Sequence, residues 1–463
     1  MLEALLAEKR KAVEDRLLAE KRKAAEDQLL AETRKAAEDR LLAALKAPLP
    51  TAGSGGQAPA EGLAALGFHK GQPVAAIVIF RYCLDSNAFG ADRTSIFDRI
   101  GAVIQEQVEH GREDINCLSY WLSVTATLLH MLSLHTKPAS GDPKRSSGAA
   151  SSDTAAGSFG SATRSILRTM FGPRASPQNL ASTHGNSQAV EAKYPALLFK
   201  EHMDAFVQTI FPKIRDNLRK TIAPMLKDCI AMSPAAGGQR AGSQEAWTDV
   251  LDVLTKGLGV VKANHVPKIL VQELIKQLLR FVNVQLFNQL LLSPEGCSFS
   301  NGAYIQAGLG QVAAWIEGAG ADLTAGSWEE LTPLRQAVKF VVLKNKPTKS
   351  LERIMDLCPA LSVQQLYRIA TMVKDDQGIT GTVSENVLGR MKQVMEESGS
   401  SASHSFLLDN DSSLPFQTAK LLMGGMDDEG LYDAIPVPEA LAEGDGAASF
   451  AFLEKELRLW QEV

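Results

Sequence analysis

The chain has 463 residues, of which 45% are hydrophobic and 22% are charged, and its formal net charge is −5. This composition is typical of a globular protein with two or three domains, and it excludes a chain that is disordered throughout. The negative net charge argues against nucleic acid as a partner. The five cysteines lie far apart and none falls in a C-x-x-C spacing, which predicts neither a disulfide framework nor a zinc site.

The first predicted element is a long charged helix over residues 1–47, built from a 12-residue repeat. The copies begin at Leu5, Leu17, Leu29 and Leu41. Most residues of the repeat are good helix formers, and opposite charges recur four residues apart. A period of 12 residues turns the apolar side chains by about 120° per copy, so a straight heptad stripe does not persist. The repeat therefore predicts either a solvated single helix or a weak coiled coil that pairs two chains.

The next predicted elements are a linker and a helical globular region. Residues 48–62 are rich in Pro, Gly and Ala, as in a linker, and apolar residues then recur at helical spacing through most of residues 63–424. No run has the two-residue period of a strand. The fold class is therefore all-α. The predicted helices are 74–84, 93–108, 115–132, 190–232, 244–258, 266–292, 301–316, 328–343, 361–372 and 383–396.

The most apolar predicted helix is expected in the core and not in a membrane. Its longest apolar stretch, residues 122–134, contains Ser123 and His130 and is shorter than the roughly 18 residues that span a bilayer. The N-terminus is charged and has no apolar signal-peptide core. We therefore expect no transmembrane segment and a cytoplasmic protein, with His130 as a core or groove residue.

Two segments interrupt the helical pattern. Residues 136–188 are basic and rich in Ser, Ala and Gly, which predicts a disordered insert. Ser176 lies in an Arg-Ala-Ser-Pro sequence there, and its phosphate would pair with Arg174 or Arg168. Residues 425–463 are acidic and are predicted to be loose, with a short terminal helix at 450–460.

Motifs that carry chemistry are not found. The phosphate-binding loop of nucleotide hydrolases is missing, and the GLGQVA sequence at Gly308 has no preceding strand, so its small residues indicate a close helix crossing. Asp409 begins a run that resembles a calcium loop, but Leu414 and Lys420 stand where Gly and Glu are required. We expect no cofactor, no metal and no enzymatic activity.

A series of short motifs follows a fixed order between about Leu63 and Leu422. They are ADRTSIFDRI (91–100), YWLSVTATLLHML (120–132), VEAKYPALLFKEH (190–202), IRDNLRKTIAPML (214–226), FVNVQLFNQLLL (281–292), CSFSNGAYIQAGL (297–309), LRQAVKFVVL (334–343), KSLERIMDLCPALSVQQLYRIATM (349–372) and SFLLDNDSSLPF (405–416). This series resembles the globular tail of plant-type class XI myosins, which are related to the class V tails that contain the dilute domain.

The resemblance implies an elongated helical bundle in two subdomains and the function of a cargo-binding tail for actin-based transport. The implied partners are vesicle or organelle receptors, including Rab-type GTPases and coiled-coil adaptors, with homodimer formation through residues 1–47. The implied location is peripheral on vesicles or organelles, or along the actin cytoskeleton. The sequence lacks the ATP-binding loop and light-chain-binding repeats of a motor. It is therefore expected to be a tail without a head, which reaches actin only through a separate motor.

Candidate partner-binding residues form two groups. A basic ridge and loop comprise Lys339, Lys344, Lys346 and Lys349. A helix end carries Arg368, Asp375 and Asp376. The alternative interpretations are a solvated loop for the first group and structural ion pairing and capping for the second. Two other functions remain open at this point, a tether or scaffold without motor partners and a tail that inhibits a motor head through its acidic end.

Overall fold

The computed structural model describes residues 2–46, 67–89, 95–135, 195–230, 243–397, 406–409, 418, 422, 426, 429–442 and 447–457. The described elements are almost entirely helical, which confirms the all-α prediction. The helices are α1 (Leu2–Lys46), α2 (Val74–Asp85), α3 (Ser95–His110), α4 (Ile115–His135), α5 (Pro195–Ile222), α6 (Ser243–Ala263), α7 (Lys268–Leu292), α8 (Phe299–Ala319), α9 (Ala321–Thr324), α10 (Thr332–Val341), α11 (Leu351–Leu357), α12 (Val363–Met372), α13 (Glu385–Glu397) and α14 (Glu439–Ala442).

The chain divides into two compact units. Unit 1 comprises Met1–Gly111, Tyr120–Val207 and Asp427–Val463, and unit 2 comprises Arg112–Ser119 and Gln208–Met426. Helices α4 and α5 contribute residues to both units. The sequence predictions for the linker 48–62 and for the insert 136–188 lie outside the described residues and remain predictions.

Helix α4 supplies much of the core of unit 1. In the described part of the chain, its segment Ile115–Leu134 is the one helix that is long and apolar enough to cross a membrane. However, 89% of the most apolar stretch of this helix is buried inside the protein. A core helix passes this test of length and composition as readily as a membrane span does. His130 is only 2% exposed, so its prediction as a core residue is confirmed. Nearby, the rings of Phe97 and Phe199 stack with their centroids 4.5 Å apart.

Helix α1 is one continuous helix, but its two ends differ in environment. Leu17 and Leu29 are exposed, whereas Leu41 and Leu45 are buried. The interpretation as a helix solvated along its whole length is therefore wrong for its last repeat, which packs against α3 and the C-terminal elements of unit 1. The reason is that this repeat carries apolar residues where the earlier copies carry charged ones.

Unit 2 is organised around α7, whose apolar residues point to several neighbours. Leu274, Leu278, Val282 and Leu286 are all buried, and α7 contacts α9, α10 and the 3-10 turn Trp328–Leu331. Helix α8 packs on α6 at Gly308, so the small residues of the GLGQVA sequence do mark a close helix crossing.

Sequence periodicity missed the short elements. The strands β1 (Phe68–His69) and β2 (Gln72–Pro73) form an antiparallel hairpin, and α9, α11 and α14 were not predicted. Elements of two to seven residues contain too few side chains to display a period. Serine caps mark two of the helix starts, because the Ser350 and Ser362 hydroxyls accept hydrogen bonds from the backbone amides of Arg353 and Gln365.

The predictions for the C-terminal segment are corrected. The last element in the described part of this segment is a 3-10 helix, Ala447–Glu454, where the predicted α-helix would begin, and residues 458–460 of that prediction lie outside the described residues. The segment is also packed and not loose, since Leu431, Ile435, Phe450 and Leu453 are at most 2% exposed. Acidic composition suggested a solvated tail, but these four apolar residues find a hydrophobic surface in unit 1.

Candidate functional site

Lys346, one of the four lysines predicted to form a basic ridge, is a core residue. Its side chain is fully buried, and its ammonium group donates a 2.8 Å hydrogen bond to the carbonyl oxygen of Val341. Its backbone amide donates to the carbonyl oxygen of Thr380. Burial lowers the pKa of Lys346 to about 8, partly offset by the nearby Asp375 carboxylate. The prediction of Lys346 as a partner-binding residue is therefore wrong, because the ammonium group is closed off inside unit 2.

Asp375 organises the loop that covers Lys346. Its carboxylate accepts hydrogen bonds from the backbone amides of Ile379, Thr380 and Gly381, at 2.9, 3.0 and 2.7 Å. Hydrogen bonding to the charged form lowers the pKa of Asp375 to about 2. The carboxylate is thus engaged inside its own loop, as the capping interpretation predicts.

Asp376 and Arg368 are also held by internal partners. The Asp376 carboxylate accepts a 3.1 Å hydrogen bond from the amide of Ser300, close to the start of α8. The Arg368 guanidinium donates 3.1 Å from Nε to the carbonyl oxygen of Leu291 and lies 5.9 Å from the ring of Phe406. Both residues therefore connect elements of unit 2. Their role toward a partner remains an untested prediction.

The other three predicted lysines remain accessible. Lys339 on α10 and Lys344 in the following loop are exposed, and Lys349 is half-buried. Their availability fits the predicted basic ridge, reduced to these three residues. Ser176, the predicted phosphorylation site, lies outside the described residues.

Sequence reasoning missed a buried arginine in unit 1. Arg81 on α2 is 2% exposed, and its guanidinium donates hydrogen bonds to backbone carbonyls of the C-terminal segment. The acceptors are Leu431 at 3.4 Å, Leu453 and Lys455 at 3.2 Å each, and Asp433. The available signal was that Arg81 is the single charged residue in the apolar run VAAIVIFRYCL. Buried charge needs such partners, so the C-terminal segment and α2 stabilise each other.

Two side-chain contacts of Asp433 add to this contact in unit 1. The Asp433 carboxylate lies 2.9 Å from Lys70 Nζ and 3.2 Å from His69 Nε2, both of which belong to the β1–β2 hairpin. These hydrogen bonds lower the pKa of Asp433, and the hydrogen bond with Asp433 raises the pKa of Lys70. The C-terminal segment is thus held at the hairpin as well as at α2.

A second buried arginine cluster lies in unit 2. Arg215 Nη1 donates 3.0 Å to the side-chain oxygen of Gln277, and Arg219 Nη2 donates 3.1 Å to the backbone carbonyl of the same residue. Arg219 also lies 5.3 Å from the ring of Phe281. Burial, together with the neighbouring Arg215 and Arg280, lowers the pKa of Arg219 to about 10, partly offset by the Asp216 carboxylate. The cluster joins α5 to α7.

The described residues contain little that is suited to catalysis. No group of three or more His, Cys, Asp and Glu residues is placed to hold a metal in the part of the chain that the structure describes. Burial raises the pKa of the Cys117 and Cys358 thiols to about 11 and that of Cys229 and Cys297 to about 12. These thiols stay protonated at neutral pH and are poor nucleophiles.

Comparisons with known proteins agree with the motif series. Residues 273–377, from α7 to the loop of Asp375, match the family model of the DIL domain. Myosin-11 of Arabidopsis thaliana is 42% identical over 382 residues, a match that covers 77% of this chain and 24% of that protein. Myosin-17 of the same plant is 40% identical over 414 residues, which cover 84% of this chain and 26% of that protein. The chain thus spans about a quarter of the length of these relatives.

Solved structures share the fold. A yeast myosin 5 cargo-binding domain superposes with a TM-score of 0.54 at 15% identity, and the match covers 87% of this chain and 95% of that domain. The structure of Myo2-GTD in complex with Mmr1 also has a TM-score of 0.54 at 15% identity, over 88% of this chain and 94% of the other. At this identity the likeness shows the fold alone.

The family match explains both the motif series and the missing catalytic chemistry. The matched region is the tail and not the motor head, which confirms the prediction that this chain is not an enzyme. The chain therefore belongs to the class XI myosins, of which it contains the globular tail with its DIL domain.

Proposed function

We propose that this chain is a cargo-binding tail that docks on receptor proteins of vesicles or organelles for actin-based transport. The observation that carries the proposal is the 42% identity to Myosin-11 over 382 residues, although the match covers only 24% of that protein. The similar fold of Myo2-GTD supports it, because that domain has been solved in complex with the proteins Mmr1, Smy1 and Inp2. Rab-type GTPases and coiled-coil adaptors are the partner classes that we propose for this chain.

The proposed docking surface includes the basic ridge of Lys339, Lys344 and Lys349. Exposed lysines attract an acidic partner surface and accelerate its association, and salt weakens this effect. Arg368, Asp375 and Asp376 support the surface indirectly, because they hold the neighbouring helices and loop. The proposal implies a cytoplasmic protein that lies peripherally on its cargo.

Pairing of two chains through α1 is a second part of the proposal. The exposed side chains Leu17, Leu18, Leu29 and Leu30 support it, since a partner helix would cover them. Two paired tails bind a membrane with many receptors more tightly than one tail does. Sedimentation equilibrium of the full chain, compared with a Leu17→Glu and Leu29→Glu variant, tests this part: dimers are expected only without the substitutions.

A vesicle-binding assay tests the main proposal. The purified full chain is mixed with an organelle fraction and floated on a density gradient. We expect the chain to float with the membranes, and we expect binding to be lost when the membranes are first treated with protease. Binding that survives proteolysis would indicate lipid, and not a protein receptor, as the docking site. No flotation with untreated membranes from any fraction would contradict the proposal.

Charge reversal then tests the basic ridge. The triple variant Lys339→Glu, Lys344→Glu and Lys349→Glu is expected to bind about fivefold more weakly at low salt, with a smaller difference at high salt. The matched control reverses three other exposed lysines of unit 2, Lys220, Lys227 and Lys256. Equal losses in both variants would show that net charge, and not the ridge, determines binding.

A further inference from the structure

The last repeat of α1 differs from the earlier copies at two positions. The second copy has Glu20 and Lys21 after its Leu-Leu-Ala, and the third has Glu32 and Thr33. The fourth copy has Ala44 and Leu45 at these positions. The repeat thus exchanges its charged residues for apolar ones only at its C-terminal end.

Burial follows this change closely. Leu17 and Leu29 begin the second and third copies and are 53% and 65% exposed, whereas Leu41 begins the fourth copy and is 0% exposed. Leu45 is 2% exposed and Ala44 is 5% exposed. The same helix therefore changes from a solvated surface to a packed one within a single repeat.

Unit 1 provides the groove that receives this end. Helix α1 packs against α3, α14 and the 3-10 helix Ala447–Glu454, and its buried apolar side chains among the described residues lie within residues 37–46. The apolar contacts are flanked by charge pairs at both ends. Arg99 of α3 pairs with Glu38 at 2.7 Å and with Asp39, and Glu106 of α3 lies 3.0 Å from Lys46. The charges fix the direction in which a helix lies in the groove.

We infer that this groove is a helix-binding site of unit 1 and that residues 37–46 are its built-in occupant. An adaptor helix with the same pattern displaces them: an apolar face with an acidic pair near its N-terminal end and a basic residue at its C-terminal end. A hydrophobic groove recognises an amphipathic helix through such regularly spaced apolar side chains. The inference rests on the proposed function, because it specifies the kind of partner that the tail receives.

The chain connectivity allows the occupant to leave. Residues 47–66 separate the end of α1 from the hairpin in the sequence, so release of the helix breaks its own contacts, including those of Arg99 with Glu38 and Asp39, and does not require the chain to be cut. A tethered occupant has an effective concentration of about millimolar, which weakens the binding of a free competitor. With an intrinsic dissociation constant of about 10 μM for both helices, the tether lowers the apparent affinity of the competitor about 100-fold.

Peptide binding to the full-length chain tests the inference. The probe is a fluorescent peptide of residues 29–47, and binding is followed by anisotropy. In the chain, Leu41→Asp with Leu45→Asp releases the built-in helix. Ala19→Asp with Lys23→Asp is the control at exposed positions of α1 that the dimer proposal does not use. We expect the peptide to bind the released chain at least tenfold more tightly than it binds the wild type or the control. Equal binding to all three chains, or no binding to a released chain that still unfolds cooperatively, would overturn the inference.

A charge exchange keeps the test decisive if the released variant does not fold. Arg99→Glu leaves the apolar groove intact and opposes the acidic pair. A peptide with Glu38→Lys and Asp39→Lys is expected to bind the Arg99→Glu chain more tightly than the wild type. The unmodified peptide is expected to bind both chains about equally, because Arg99→Glu weakens the identical built-in helix as much as it weakens the peptide. Equal binding of the modified peptide to both chains would contradict the inference. Because no vesicle is involved, this outcome is independent of whether the vesicle-binding assay succeeds.

Discussion

Gly308 of α8 packs directly on the indole ring of Trp247, and a Cβ atom at Gly308 would lie 2.2 Å from Trp247 Cε2. Because Trp247 is fully buried, the ring has no free space into which it can move. We predict that Gly308→Ala lowers the free energy of unfolding by about 1–3 kcal/mol through overpacking. Chemical denaturation of the full chain measures this change.

The control for Gly308 lies two residues away. Gly310 is on the same helix, and no heavy atom lies within 4 Å of the Cβ position there. Gly310→Ala is therefore expected to raise stability by about 0.5–1 kcal/mol through helix propensity. A loss of stability in both variants would refute the packing explanation.

Arg81 is predicted to hold the C-terminal segment on α2. Arg81→Met removes the donor to carbonyl groups of Leu431, Asp433, Leu453 and Lys455, and buried carbonyls left without a donor cost about 1–3 kcal/mol each before relaxation. We expect faster hydrogen exchange and faster proteolysis in residues 429–457. As a control, Arg22→Met at an exposed position of α1 should leave both rates unaltered. Unchanged rates in the Arg81→Met variant would disprove that Arg81 holds the C-terminal segment on α2.

Lys346 should make stability rise with pH in the alkaline range. Burial depresses its pKa from 10.5 to about 8, so the unfolded chain binds more protons than the folded one between these values. The free energy of unfolding of the wild type, relative to that of Lys346→Met, should therefore rise by about 3 kcal/mol from pH 8 to pH 10.5. Below pH 8 this difference should not change with pH. Urea denaturation at each pH measures this difference, and Lys344→Met at an exposed position provides the flat reference.

Asp375 should make stability fall in acid. Its three backbone hydrogen bonds depress the pKa from 3.8 to about 2, so its contribution is complete above about pH 4 and is lost as pH falls toward 2. We expect the stability difference between wild type and Asp375→Asn to shrink over this range. Thermal unfolding at graded pH tests the expectation, with the exposed Asp356→Asn as control. A constant difference between wild type and variant would be the contrary result.

Long periodic segments were predictable because their side chains repeat over several turns. The apolar spacing in α7 and the helix formers of α1 predict those helices within a few residues of their observed bounds. Pro195 begins α5, as proline suits a first turn, yet Pro212 lies inside the same helix without ending it. Ile210, Phe211 and Ile214 beside Pro212 are buried, and this tertiary packing favours the helix despite the hydrogen bond that Pro212 cannot donate.

The site was predicted less well because exposure is a tertiary property. Lys344 and Lys346 are two residues apart in one lysine-rich stretch, yet one is exposed and the other is fully buried beneath the loop of Asp375. No composition or spacing distinguishes them, since the covering loop lies about 30 residues further along the chain. The carboxylates of Asp375 and Asp376 were identified as a pair, but only their hydrogen bonds show that both are used internally.

The sequence by itself determined the helical class, the long charged first helix, the family and the lack of catalytic motifs, because each depends on local pattern or on short ordered motifs. Tertiary structure decided which charges are buried, that the C-terminal segment packs on Arg81 and that the covered part of α1 begins at Ala37. These outcomes depend on contacts between residues far apart in the chain, such as Arg99 with Glu38 and Arg81 with Leu453. In such contacts the cost of removing each polar group from water is offset only by its partner, so neither partner's local sequence contains the free energy of the contact.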